Sequence, residues 1–114
     1  HFDIQDVKRL VAKGCLTHKS VADVFVKWYP NIFRFKGDLM FQWVGHFWEK
    51  SNFGNTPLLD FVSSTFAADL KKYFGQLPKA LTKMVGNMAS IHNVSNAIKM
   101  QSVSRFKGDF DEQK

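Results

Sequence analysis

Apolar residues recur along this chain in blocks of two different periods, separated by glycine, proline and polar clusters. Ile4, Val7, Leu10 and Val11 form one stripe of a short helix, with Asp3 placed to cap its start and Gly14 to end it. Thr17 is placed to cap a second helix that turns Val21, Val24, Phe25 and Trp28 inward and stops at Pro30. The two read as a helical hairpin.

Residues 31–50 change period. The run is apolar enough for a helix, and Asp38 is placed to cap one. Phe33 and Phe35, however, alternate with Arg34 and Lys36, and Gly37-Asp38 and Val44-Gly45 punctuate short aromatic runs. Aromatic residues favour strands where packing allows. A single helix would carry Gly45 in its middle at a cost of ~1 kcal/mol, so a small antiparallel meander is the better reading.

Helical periodicity returns after the polar stretch 51–55. Thr56-Pro57 pairs a capping hydroxyl with a proline at the first helical position, and Asp60 is placed in the first turn, where the dipole favours negative charge. Leu58, Val62, Phe66, Leu70 and Phe74 repeat every four residues, Lys71 and Lys72 fall in the last turn, and Gly75 is placed to end it. Pro78 opens another helix with Leu81, Val85 and Met88 inward and Lys79, Lys83 and Asn87 four apart on a polar face. Ser90 is placed to cap the last helix, which turns Ile91, Val94 and Ile98 inward and runs to about Arg105. The sequence RFKGD occurs at 34–38 and at 105–109, in different predicted surroundings, and is taken as coincidence rather than a repeat. The predicted fold is mainly α: a bundle of about five helices with a small antiparallel β-hairpin or meander inserted at about 32–49.

Composition adds limits. A chain of 114 residues with 45% hydrophobic content suits a single domain, residues 1–114, with a real core. Its abrupt start at His1 suggests a piece of a larger protein. No apolar run approaches the ~18–20 residues of a membrane helix, so no membrane partner is expected. A lone Cys15 allows no internal disulfide, fits a reducing, intracellular setting, and reads as a small turn residue between helices.

The formal net charge is +6, and its distribution says more than its size. Leu70 to Gly108 contains Lys71, Lys72, Lys79, Lys83, Lys99, Arg105 and Lys107 and no Asp or Glu, whereas the remainder holds nine basic and ten acidic residues. Such segregation creates a field that attracts polyanions. A solvated basic helix face with no partner is the bland alternative.

Familiar catalytic patterns are absent. His1, His18, His46, His92 and Cys15 lack zinc-ligand spacing, and no Ser-His-Asp or nucleophile-elbow pattern occurs. Gly45–Ser51 reads GHFWEKS, which lacks the second glycine that lets backbone amides wrap a phosphate. The carboxylates are scattered. No cofactor or metal is expected in this domain, and it is not expected to be an enzyme by itself. The seven basic residues are the candidate phosphate contacts, largely blind to sequence. Trp43, Phe47 and Trp48 are candidates for base stacking, with packing of the hairpin onto the helices as their alternative role.

Across residues 20–74 the order SVADVFVKWYPNIFRF, LMFQWVGHFWEK and then an apolar helix resembles the helical domain that precedes the superfamily 3 helicase in poxvirus- and giant-virus-type primase–helicases, with phage and plasmid relatives. In that family a helix leads through an aromatic segment into a W-x-x-G-x-x-W hairpin, seen here as Trp43-Val44-Gly45-His46-Phe47-Trp48, with one residue fewer between the first tryptophan and the glycine. FDEQK at 110–114 also looks like the approach to the helicase module. The resemblance implies a linker domain in viral or mobile-element DNA replication, handling template, with single-stranded DNA and the adjacent primase and helicase modules as partners. It implies homo-oligomerisation through the parent helicase, and ATP and Mg as cofactors of the parent protein. For a viral parent it implies the host cytoplasm or a replication factory. A different class of function, a protein-interaction or oligomerisation module docking an acidic partner, fits the same basic stretch.

Overall fold

The computed structural model describes residues 3–105, with side chains to residue 101. Helix α1 (Ile4–Ala12) begins where the Asp3 carboxylate accepts the Gln5 N–H at 3.0 Å. It ends as the chain reverses through Gly14, whose φ of +66° only glycine adopts without strain. There Gly14 N–H donates to the Val11 carbonyl and Cys15 N–H to that of Leu10, the paired bonds of a Schellman motif. Val7 is buried, Ile4 and Leu10 pack beside it, and Val11 lies at the edge of the stripe. Cys15 occupies the exposed connection to α2.

Helix α2 (His18–Trp28) starts with a reciprocal capping box: Ser20 N–H donates to Thr17 Oγ1, and Thr17 N–H donates to Ser20 Oγ. Six of its eleven residues are buried, more than one amphipathic stripe provides, because α2 is packed on several sides. Phe25 is the hub, with Phe33, Phe61 and Phe66 ring centroids 5.3–6.4 Å away.

The period-two segment forms a meander of three antiparallel strands, β1 (Phe33–Lys36), β2 (Leu39–Trp43) and β3 (Trp48–Lys50), in the order β1-β2-β3. Pairing sets Phe35 against Met40, Arg34 against Phe41 and Trp43 against Trp48. Cross-strand partners share a face, so Phe33, Phe35 and Met40 enter the core while Arg34, Phe41, Trp43 and Trp48 face the other way.

Next comes one continuous helical rod: α3 (Thr56–Phe61), a π-helical turn (Val62–Phe66) and α4 (Ala67–Phe74). In an ideal α-helix a strict four-residue repeat drifts ~40° per step. The wide turn, in which Ala67 N–H reaches back to the Val62 carbonyl, absorbs part of that drift. Leu58, Val62, Phe66 and Leu70 are therefore all fully buried. Ser63 and Ser64 hydroxyls both donate to the Asp60 carbonyl beside the distortion, the back-bonding that bends helices.

Helices α5 (Lys79–Gly86) and α6 (Met88–Arg105) complete the bundle. Counting the rod as one, the fold is five helices with a three-stranded insertion, the architecture expected from the sequence. Helix α6 packs along α2 and against β1, burying Ile91, Val94, Ser95 and Ile98.

Several local expectations are corrected. Asn55 precedes α3, and Thr56 is already helical with no capping bond. The loop before it is instead tied by Ser51, whose hydroxyl donates to the Gly54 carbonyl and accepts the Phe53 N–H. Asp60 consequently lies past the first turn. Asn87, not Ser90, caps α6: its Oδ1 accepts the Ser90 N–H at 3.1 Å. Because the backbone is extended at Asn87, this residue leaves the polar face of Lys79 and Lys83, and Met88 is 62% exposed rather than inward.

Candidate nucleic-acid interface

The basic residues fall into two electrostatic settings. At one end of the bundle, Lys71 and Lys72 project from the last turn of α4, and Lys79 and Lys83 lie one turn apart on α5; all four are exposed. Only Gly75–Pro78 separates the two helices, and Gly75, at φ +90°, supplies the reversal. Among the described residues none of these lysines is ion-paired. The Lys72 ammonium sits 5.4 Å from the Tyr73 ring centre, and Tyr73 is itself exposed. The carboxylate nearest in sequence, Asp69, is half-buried and accepts a 2.5 Å hydrogen bond from the Tyr29 hydroxyl. Burial, and then this hydrogen bond to a carboxylate, push the Tyr29 phenol well above its ordinary pKa of 10.0.

Sequence reasoning missed a fifth cation at this end. Lys8 of α1 reaches over the Phe74 ring, 5.7 Å from its centre, because α1 packs against α4. Nothing in the local pattern around residue 8 announces a neighbour 66 positions away.

Elsewhere Arg9, Lys27 and Lys99 meet acids. Asp6 bonds both Arg9 and Lys27, the latter at 2.9 Å, and the bonds to Lys27 and then Arg9 hold its carboxyl below the ordinary value of 3.8. Lys99, one of the seven basic candidates, donates at 3.1 Å to Asp38 in the β1–β2 turn. It stands ~16 Å along α6 from the helix start, so it belongs to the sheet side of the molecule rather than to the α4–α5 end. Of the remaining candidates, the Arg105 side chain and Lys107 lie outside the described residues.

The aromatic candidates also divide. Trp43 is 38% exposed and Phe47 half-buried, so both retain accessible surface. Trp48 is 7% exposed: the Arg34 guanidinium lies 4.7 Å from its ring centre and Trp43 packs on it at 5.4 Å. Its faces are occupied, and it cannot receive a base without breaking these contacts.

A groove of about 430 Å³ lies between α1 and α2, lined by acids and bases together, among them Asp6, Lys13, Asp23 and Lys27. Its mixed charge offers nothing specific to a polyanion. Among the described residues no three His, Cys, Asp or Glu side chains converge to hold a metal, and no helix is long and apolar enough to cross a membrane. Comparison of the chain with protein-family models, with curated proteins and with solved structures returns no match.

Proposed function

We propose that this chain is a non-catalytic accessory domain that binds nucleic acid, single-stranded DNA in the first instance, through the end of the bundle formed by α4 and α5. One observation carries the reading: Lys71, Lys72, Lys79 and Lys83 are exposed at one end without an ion-pair partner among the described residues, while Lys27 and Lys99 are matched by carboxylates. Lysines so arranged bind phosphates as point charges, with little discrimination among bases. Lys8 extends the same surface.

The resemblance to the helical domain preceding superfamily 3 helicases gives this surface a role in guiding template between the primase and helicase modules of a replicative protein. ATP and Mg would then be bound by the parent's other modules. Fluorescence anisotropy with a labelled oligothymidylate tests the binding. Affinity should fall steeply with salt and should be lost on substituting Lys71, Lys72, Lys79 and Lys83 by Glu. Undetectable binding at low salt would reject it in favour of docking to an acidic protein.

A further inference from the structure

A small cavity of about 160 Å³ opens where the edge strand β3 overhangs the start of α3. It is lined by Gln42 of β2, Glu49 and Lys50 of β3, Asn52 and Phe53 of the following loop, and Pro57 of α3. Gln42 and Glu49 are cross-strand partners and share a face of the sheet. Among the described residues no hydrogen bond or ion pair engages the side chains of Gln42, Glu49 or Asn52. One carboxylate and two amides are thus left open to a ligand at the same cavity.

Phe53 adds a ring that folding has not used. It is 76% exposed, more than any other large apolar side chain described. Its backbone is nonetheless held from both sides: Phe53 N–H donates to Ser51 Oγ at 3.1 Å, and its carbonyl accepts the Thr56 N–H at 3.2 Å. The Ser51 hydroxyl in turn donates to the Gly54 carbonyl at 2.9 Å. A ring presented on a loop already tied loses little freedom when it takes a ligand.

Size and chemistry together select that ligand. Pockets that enclose drug-sized molecules run to ~300 Å³ or more, so this one suits a single planar ring system. A carboxylate accepts two hydrogen bonds side by side, and an amide both donates and accepts. Flat bases stack on aromatic side chains and are read by hydrogen bonds along their edges. Guanine alone of the common bases carries two adjacent donors, its ring N1–H and its amino group, together with the O6 and N7 acceptors. The Glu49 carboxylate matches the donors, and the amide N–H groups of Gln42 and Asn52 match the acceptors.

We propose that this cavity binds a guanine nucleotide. The base stacks on Phe53, with its donor edge on Glu49 and its acceptor edge on Gln42 and Asn52, and Lys50 supplies a cation for the attached phosphate. The site lies ~20 Å along the helical rod from Lys71, so it is separate from the α4–α5 lysines and does not rest on their binding DNA. It brings the base discrimination that lysine–phosphate contacts lack.

Titration of the ¹⁵N-labelled chain with guanosine 5′-monophosphate tests the site. Amide shifts should cluster at Gln42 and residues 49–53, adenosine 5′-monophosphate should bind at least tenfold more weakly, and inorganic phosphate should leave these signals still. Phe53→Ala should weaken binding at least tenfold, and Glu49→Gln should abolish the preference for guanine over adenine. Both residues are exposed, and a well-dispersed spectrum of each variant controls for folding. An oligothymidylate carrying one guanine separates the two sources of the base. Pocket shifts from this oligomer alone assign the site to a strand, and shifts from the mononucleotide as well assign it to the base wherever it is carried. No pocket shift from the oligomer or from about 10 mM mononucleotide, enough to reveal even millimolar affinity, would overturn the proposal. Equal affinity for the two purines would also overturn it. So would shifts that vanish when Lys71, Lys72, Lys79 and Lys83 are replaced by Glu, which would assign them to phosphate contacts at the other end.

Discussion

The α4–α5 end and the α1–α2 side of this molecule both carry several cations, yet they present very different fields. Around α1 and α2, Arg9 and Lys27 converge on Asp6, so the local charge is nearly balanced. At the α4–α5 end the lysines stand without carboxylates among the described residues, and the one nearby acid, Asp69, faces Tyr29. The exposed ion pairs themselves contribute little to stability, because solvent and salt screen them. Their effect is on the field: they compensate Arg9, Lys27 and Lys99 and leave the four exposed lysines of the α4–α5 end as a cluster that can steer a polyanion.

The comparison breaks most readily through charge. Replacing Lys71, Lys72, Lys79 and Lys83 together by Glu should weaken oligothymidylate binding a hundredfold or more, about 2.7 kcal/mol. The double change Lys27→Glu and Lys99→Glu should alter it less than threefold. Similar losses from both sets, measured by anisotropy, would mean that overall charge rather than this end drives binding.

The next effect separates the two tryptophans. Trp48 lies under Arg34 and Trp43, so Trp48→Ala should cost about 2 kcal/mol more stability in urea unfolding than Trp43→Ala, within the range for removing buried aromatic rings. Equal costs would mean that Trp48 is not the anchored ring.

Single lysines give a smaller and more diagnostic signal. Each of Lys79→Ala and Lys83→Ala should reduce the slope of log affinity against log salt by about 0.7, the value for one phosphate contact on a single strand. Lys99→Ala should leave the slope unchanged.

The smallest effect is titration on the balanced side. The folded-state pKa of Asp6 is depressed, so its contribution is present above the ordinary value of 3.8 and is lost as pH falls through the depressed one. Asp6→Asn should therefore flatten the acid limb of the stability profile below about pH 4 without changing oligonucleotide affinity at neutral pH. Tyr29 has the opposite sense for stability. Its raised pKa makes its contribution full below 10.0 and progressively lost at higher pH, and Tyr29→Phe should remove that alkaline fall.

Legibility in the sequence followed the range of the interactions. Asp3 and Thr17 cap through bonds spanning two or three residues, and the alternation at Phe33–Lys36 is a local pattern, so the first two helices and the meander could be read directly. The π turn escaped because the four-residue repeat from Leu58 to Leu70 looks like ordinary helix, and the geometric cost of holding it on one face is invisible in one dimension. The last cap moved from Ser90 to Asn87 because both residue types cap well and only the backbone path chooses between them. For the candidate site, the segregation of charge was legible, but pairing was not. The Lys99–Asp38 bond spans 61 positions and the Asp6–Lys27 bond spans 21, so neither could be seen from neighbouring residues. The same holds for Lys8 over Phe74 and for the burial of Trp48.

The central claim concerns where a polyanion touches the molecule, and titration of the ¹⁵N-labelled chain with oligothymidylate at low salt addresses it directly. The account predicts that the largest amide shift changes cluster at residues 71–83 and around Lys8, with Lys27 and Lys99 nearly still. Shifts centred on α2 or spread evenly over the surface would contradict it.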